Sequence, residues 1–258
     1  MSVATVVLLL TACSEDYPGR TESYKPANDV MSVYFPSTIP GSVEVAPSDT
    51  IYTITISRKD SSKASAVGLK ELYDLNNVFT VPKTVHFAAG EKDVNVDITF
   101  PDLVDFQIYT LGLELEEDFT NPYDTLVAGT SRLVLNIAQT DWTDYAMCDY
   151  VSSFWDASWP VLMQYSAILD SYRMSNWWNT GTSFIFTWDG SAVLSTPGKT
   201  STGYNYDSYG AVYATASEDS TLTFYNPDDQ KFTFNMEFTV SAGSFGSYIE
   251  TFVIDQTY

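Results

Sequence analysis

The sequence predicts an all-β protein: two β-sandwich-like domains in tandem, carried behind a lipidated flexible tether. Three observations carry that expectation. Short runs in which apolar and polar side chains alternate recur from Val30 to Ala138 and again from Thr182 to Ile254, with turn residues between them. There are no heptads and no close repeat between the halves. The chain of 258 residues exceeds one ordinary domain and suits two, and 45% hydrophobic residues are enough to fill two cores.

In chain order, the first element is not a strand. Val3 to Leu10 is apolar and ends in Leu10-Thr11-Ala12-Cys13. The run is far short of the ~20 residues that span a bilayer, but it fits the ~7–15 residues of a signal-peptide core. Small residues before the cut suit a signal peptidase, and the cysteine thiol accepts the lipid. Residues 1–12 are therefore expected to be a signal peptide, with lipidation at Cys13. The alternative is a buried strand ending in a chance cysteine. Only Met1 and Ser2 precede the apolar run, so a start some codons upstream is expected. Residues 13–29 are dominated by Ser, Glu, Asp, Pro, Lys and Asn and cannot bury enough surface to order themselves; they read as a tether.

The Leu-Thr-Ala-Cys motif resembles bacterial lipoproteins, and Ser14-Glu15-Asp16 resembles the export signal of Bacteroidetes-type surface lipoproteins. The resemblance implies an outer-membrane location, facing the cell exterior, held by two or three acyl chains. At ~0.8 kcal/mol per buried methylene, such a set anchors firmly where one chain does not.

Residues 30–139 read as strand after strand. Val33-Tyr34-Phe35 ends at Pro36, Ser42 to Ala46 is short, and Thr50 to Ser57 alternates with isoleucines on one face and threonines on the other. Val67 to Leu75 reads as a helical turn or a loop bulge. Val78 to Val81 and Thr84 to Phe87 follow, and Ala88-Ala89-Gly90-Glu91-Lys92 makes a turn. Asp93 to Phe100, Tyr109 to Glu116 and Leu133 to Ala138 close the set of about eight strands.

This half resembles the Calx-β-like sandwich of bacterial surface proteins, through Val33-Tyr34-Phe35, Thr53 to Ile56, Tyr109 to Glu116 and, above all, Val85-His86-Phe87-Ala88-Ala89-Gly90-Glu91-Lys92 leading into Val94 and Val96. Calcium-binding members carry acidic clusters at one end, which raises the question of Asp102, Asp105, Glu116, Glu117 and Asp118. The ordered ligand pattern of those members is not visible here, and a solvated acidic loop is the alternative reading. No metal or cofactor is assigned.

Composition changes at Gln139-Thr140-Asp141, which places the domain boundary there. All six tryptophans lie between Trp142 and Trp188. Thr182 to Trp188 runs into Asp189-Gly190, a hairpin dipeptide, and Ala192-Val193-Leu194 returns. Gln164 to Met174 has mixed periodicity and reads as a strand ending in Tyr172-Arg173-Met174. Gly210 to Ala216, Ser220 to Tyr225, Lys231 to Val240 and Phe245 to Ile254 complete a meander, with Asn226-Pro227-Asp228-Asp229 as a turn. Residues 140–258 resemble the aromatic-rich C-terminal domain of Bacteroidetes lipoproteins of unassigned activity, through Tyr172-Arg173-Met174, the strand into Trp188-Asp189-Gly190, Tyr209-Gly210 and Gly243-Ser244-Phe245-Gly246 before Glu250-Thr251-Phe252. That resemblance implies membership of a polysaccharide-uptake system, an association and not a chemistry. Asp49-Thr50-Ile51, Asp124-Thr125-Leu126 and Asp219-Ser220-Thr221 resemble the O-glycosylation signal of exported Bacteroidetes proteins.

Charge and chemistry narrow the function. The net charge is -21, and residues 141–258 hold 14 acidic side chains against 3 basic ones. Phosphate backbones need Lys and Arg to displace counterions, so nucleic acid is excluded as a partner. Of the two cysteines, Cys148 is left without an intrachain partner if Cys13 is lipidated, and beside Met147 it reads as a small buried hydrophobe. The single histidine, His86, alternates with Val85 and Phe87 on a strand, which favours a structural or surface role over catalysis. There is no nucleophile elbow and no phosphate-binding loop. With 33 acidic residues some pair always satisfies the spacing of a glycosidase, so that spacing decides nothing. The expectation is a protein that is not an enzyme.

The positive signal is aromatic. Trp155-Asp156-Ala157-Ser158-Trp159, Trp177-Trp178-Asn179 and the polar loop Thr202 to Gly210, with Tyr204 and Tyr206, put rings beside Asp, Asn and Ser. Indoles and phenols stack on sugar faces while the polar neighbours meet hydroxyls. Trp155, Trp159, Trp177, Trp178, Tyr204 and Tyr206 are thus the candidate ligand-binding residues. Adjacent rings such as Trp177 and Trp178 cannot both face inward from a strand, so one is expected to be partly exposed or to cross an interface. The alternative is an aromatic core, with Trp142 and Trp188 sealing the contact between domains. The leading expectation is a non-catalytic surface lipoprotein that binds glycan or an outer-membrane uptake partner. A structural or adhesive surface protein is the second reading, and a polysaccharide-degrading enzyme the third.

Overall fold

The computed structural model describes residues 31–121, 123–124 and 128–258. The expected signal peptide, lipidation site Cys13 and tether, and Thr125-Leu126, lie outside the described residues. The chain is all β, as its alternation predicts.

The first half forms β1 (Val33–Pro36), β2 (Ser42–Val45), β3 (Ile51–Arg58), β4 (Ser65–Asp74), β5 (Thr84–Phe87), β6 (Asp93–Thr99), β7 (Ile108–Leu115), β8 (Gly129–Thr130) and β9 (Arg132–Gln139). A four-stranded sheet, β6-β3-β1-β8, faces a five-stranded one, β2-β9-β7-β4-β5. β2 runs parallel to β9, Ser42 opposite Asn136. Ile54, Ile56, Val96 and Ile98 turn inward against Leu111, Leu113, Leu135 and Ile137 of the opposing sheet. On the outer face of β3 and β6 the polar residues pair across the strands: Thr53 to Asp97 at 2.6 Å, Thr55 to Asn95 at 3.1 Å and Ser57 to Asp93 at 2.5 Å. Ile51 shares that outer face and is exposed, so the isoleucines of this strand do not all point one way.

Arg58 explains the glycine turn. It is buried, its guanidinium lies over Phe87, and it donates to the carbonyls of Lys63, Ala88 and Glu91 at 2.6–2.7 Å. Glu91 closes the turn by accepting from the Ala88 amide at 2.7 Å, and Gly90 takes φ 87°. His86 points outward from β5.

Two expectations are corrected here. Val67 to Leu75 is neither helix nor loop: it is most of β4, whose register against β7 shifts between Glu71 and Tyr73. The bulge reverses the pleat and lays the Tyr73 ring over Gly112, where a Cβ would stand 2.5 Å from the ring. Val78 to Val81 is not a strand; it contributes a single bridge from Thr80 to Thr99.

The second half forms β10 (Thr143–Ser152), β11 (Ala157–Ser166), β12 (Ser171–Ser175), β13 (Phe184–Trp188), β14 (Val193–Ser195), β15 (Thr200–Tyr206), β16 (Gly210–Ala216), β17 (Phe224–Asn226), β18 (Lys231–Val240) and β19 (Gly243–Thr257). All belong to one antiparallel sheet, ordered β14-β13-β12-β11-β10-β19-β18-β16-β15, with β17 also on β18. The sheet curls until its arms face each other. Phe184 and Phe186 of β13 meet Phe232 and Phe234 of β18 at ring distances of 5.0–5.4 Å, although four strands separate them in the sheet. The two packed layers are therefore parts of one sheet. Thr180 ties the arms together by donating to the Thr202 carbonyl of β15.

Several strand limits differ from the alternation. Gln164 to Met174 contains the end of β11, a turn and β12. The stretch Ser220 to Tyr225 is mostly turn, with Asp219 accepting from the Thr221 amide and hydroxyl. Thr202 to Tyr206, expected as loop, is strand β15, followed by a short 3-10 turn at Asp207–Tyr209. Asp189-Gly190 does make its hairpin: Asp189 accepts from the amides of Ser191 and Ala192, and Gly190 has φ 92°.

Candidate functional site

The site is built at the end of the curled sheet where β10 turns into β11. Ser152 leaves β10 and Asp156 enters a left-handed conformation, φ 50°, before β11 begins. This four-residue turn carries Phe154 and Trp155. A second turn, 176–179, lies alongside. Asn176 and Asn179 both have positive φ, 50° and 56°, and the Asn176 side chain accepts from the Gly181 amide at 2.6 Å. Between these asparagines sit Trp177 and Trp178, which are 0% and 6% exposed. The expectation that one of them is partly exposed or crosses an interface is overturned. It assumed strand alternation, whereas a turn can send consecutive side chains to the same side.

Beneath the turns is a buried polar network. Tyr150 donates its hydroxyl to Glu250, and Trp178 Nε1 donates to the Tyr150 oxygen at 3.0 Å. The Phe154 amide donates to the other Glu250 oxygen at 3.2 Å. Burial pushes the Glu250 carboxyl above its ordinary range against these hydrogen bonds. Burial and the adjacent Glu250 charge push the Tyr150 phenol upward as well. Trp159 lies edge-on to Tyr150 at 4.7 Å and donates from Nε1 to the Trp177 carbonyl at 2.8 Å. Glu250 thus organises the β10–β11 turn from inside, with no open approach to solvent.

Above this base the rings continue to the surface. Trp155 contacts Trp178 at 5.2 Å and Tyr204 at 5.1 Å; Tyr204 contacts Tyr206 at 6.4 Å; Tyr206 contacts Tyr209 at 5.9 Å and Phe245 at 5.3 Å. Phe154 closes the ring set against Phe245 at 5.7 Å. Trp155 and Tyr206 are each 36% exposed and Tyr209 is 50% exposed. The structure therefore brings together Trp155, Trp178, Tyr204 and Tyr206, and places Trp159 and Trp177 behind them. Tyr209, Phe245 and Phe154, outside the six candidate residues, join the set. Phe245 arrives from nearly forty positions further along the chain than Tyr206, and only sheet pairing sets them side by side.

The other aromatic residues have different work. Trp142 lies at the junction of the halves, under Arg173 and edge-on to Phe106 at 5.8 Å. Trp188 is inside the second half against Tyr145, Tyr172, Tyr225 and Phe232, and does not seal the junction. Cys148 is fully buried, and burial pushes its thiol up to about 12, in keeping with a packing role. The five acidic residues considered for calcium fall at opposite ends of one strand. Asp102 and Asp105 precede β7 and Glu116, Glu117 and Asp118 follow it, with eight residues of strand between. Asp105 accepts from Gln139 and Glu116 from the Gly68 amide. Among the described residues no three His, Cys, Asp or Glu side chains group as metal ligands. A polar cavity of about 760 Å³ beside Lys70, Lys83 and Arg132 also carries Glu114, Glu116 and Glu117, so its charges offset one another.

No family model and no curated protein matches the chain. Among solved structures, a Bacteroides ovatus protein of unknown function is similar at 12% identity over 86% of this chain and 92% of that one, TM-score 0.33. A Bacteroides ovatus multidomain protein including DUF1735 is similar at 10% identity over the same shares, TM-score 0.34. The calcium-binding domain CBD12 of CALX1.1 is similar at 13% identity over 59% of this chain and 78% of that one, TM-score 0.32. At these values function has to be argued from the chain's own side chains.

Proposed function

We propose that the chain is a non-catalytic, surface-displayed lipoprotein whose second half binds glycan through the Trp155–Tyr204–Tyr206 platform. The observation that carries this reading is the run of ring contacts from the buried Trp178 to the exposed Tyr209. It gives a firm aromatic surface flanked by exposed Asp156, Asn205, Asp207 and Ser208. Rings held by a buried base stack on a sugar face without losing further side-chain freedom, and the flanking polar groups suit its hydroxyls. A non-catalytic role is supported by the enclosure of Glu250 and by the position of His86 on β5, in the other half. The lipid anchor rests on the Leu10-Thr11-Ala12-Cys13 motif, outward display on Ser14-Glu15-Asp16, and the uptake partners on the resemblance of residues 140–258.

The test is native electrophoresis of the full chain carrying Cys13→Ser through gels containing single polysaccharides. At least one polymer should retard the protein, and Trp155→Ala with Tyr206→Ala should abolish the retardation. Retardation by none of them removes the reading. For the anchor, a fatty-acid probe should label the unaltered chain in cells and leave Cys13→Ser unlabelled.

The second reading, a structural or adhesive spacer without a small ligand, is favoured by one observation: Trp177 and Trp178 are buried in the core and do not lie open at the surface.

A further inference from the structure

The platform's electrostatic surroundings are one-sided. Asp156 and Asp207 are exposed and follow directly on Trp155 and Tyr206, each in a left-handed backbone conformation, φ 50° and 41°; Asp156 ends its turn and Asp207 begins its own. Ser244, next to Phe245, donates to Glu237 at 2.7 Å, which brings a third carboxylate to the same end.

The three cations of residues 141–258 are all elsewhere and all engaged. Arg173 is paired with Glu44 at 2.6 Å, Lys199 lies over the Tyr213 ring at 4.4 Å, and Lys231 stands 3.8 Å from Asp229. Lys231 begins β18, seven positions from the Phe238 that packs under the platform. At ~3.3 Å per residue that is over 20 Å, beyond the ~8–10 Å over which salt at ordinary strength screens an exposed charge. Lys199 precedes β15, whose far end carries Tyr204 and Tyr206. No cation of residues 141–258 offsets the carboxylates at the rings.

Resting on the glycan reading above, we infer that the platform accepts an uncharged glycan chain and rejects uronate-bearing or sulfated ones. The rings supply attraction that every pyranose face shares, and the two aspartates supply the selection. An anionic sugar laid on Trp155 and Tyr206 brings its charge against Asp156 and Asp207, with no Lys or Arg of residues 141–258 beside them to pair with. Like-charge juxtaposition is a device for excluding the wrong partner.

The experiment uses polymer pairs that share a backbone and differ chiefly in charge: homogalacturonan with high and with low methyl-ester content, and dextran, cellulose and galactomannan derivatives beside their carboxymethylated forms. The full chain carrying Cys13→Ser is titrated with each by calorimetry at low and at 0.5 M salt. The neutral member of a bound pair should win by about tenfold at low salt, and the gap should shrink as salt screens the repulsion. Asp156→Asn with Asp207→Asn should narrow the gap severalfold at low salt, since asparagine tolerates the same backbone conformation. An anionic polymer bound as tightly as its neutral partner, or a gap unmoved by both salt and the double substitution, overturns the inference and leaves glycan binding standing. Binding of none of the polymers overturns both.

Discussion

Arg173 grips Glu44 with both arms of its guanidinium, at 2.7 and 2.6 Å, although 129 positions separate them in the chain. Arg173 lies on β12 in the second half and Glu44 on β2 in the first. The same guanidinium is stacked on Trp142 at 4.6 Å, and its Nε donates to Gln164 at 2.8 Å. The arginine is largely buried whereas the carboxylate is half exposed. One planar group thus joins the linker tryptophan to an edge strand of the first half and to β12 of the second, which a lysine, a point charge without a stacking face, does not reproduce.

That asymmetry makes a prediction. Glu44→Ala strands a buried guanidinium and should cost about 2–3 kcal/mol, whereas Arg173→Met leaves a carboxylate that water can reach and should cost about 1 kcal/mol. Calorimetry should show the two halves unfolding together in the unaltered protein and separately in Glu44→Ala. Equal costs for the two substitutions would show that the pair does not work as described.

Glu250 predicts a pH dependence. Burial raises its folded-state pKa above the ordinary 4.5. The folded protein therefore retains a proton that the unfolded chain releases. The stability it confers is complete below the ordinary value and is lost as pH rises through the raised one, at about 1.4 kcal/mol for each pH unit between the two values. Asp189 and Asp219 act in the opposite sense. Hydrogen bonds from the Ala192 and Ser191 amides lower the first, and those from Thr221 lower the second, so their contribution is present above about 3.8 and lost as pH falls. Melting temperature followed from pH 3 to 8 should decline above the ordinary glutamate range in the unaltered protein and stay flat there in Glu250→Gln. Parallel curves for the two proteins would exclude Glu250 as the cause.

Trp155 and Trp178 touch, yet their substitution should read out differently. Trp178→Ala removes a buried ring together with its bond to Tyr150, and should cost about 3–5 kcal/mol. Trp155→Ala should cost about 1 kcal/mol or less while removing glycan retention. Urea unfolding of both variants, beside the gel assay, separates scaffold from platform. A Trp155→Ala protein as unstable as Trp178→Ala would place both in the scaffold.

Gly112 and Tyr73 form a steric pair across the β4 bulge. Gly112→Ala should destabilise by about 1–3 kcal/mol, and Tyr73→Ala should relieve much of that cost when combined with it. Additive effects would mean that the ring and the glycine do not meet in solution.

Period-two alternation is local, so it was legible: Thr53 to Ile56, Asp93 to Phe100 and Lys231 to Val240 read as strands because consecutive side chains must face opposite ways in an extended backbone. The acidic balance of the chain needed only counting. The Asp189-Gly190 hairpin needed only the two residue types. What the tertiary structure alone decided is where rings and charges meet. It turned Trp177 and Trp178 inward together, because two left-handed asparagines replace strand alternation with a turn. It set Phe245 beside Tyr206, Arg173 against Glu44, and Asp102 far from Glu116. Those relationships depend on sheet order and register between distant segments, and no local pattern along a chain encodes that distance.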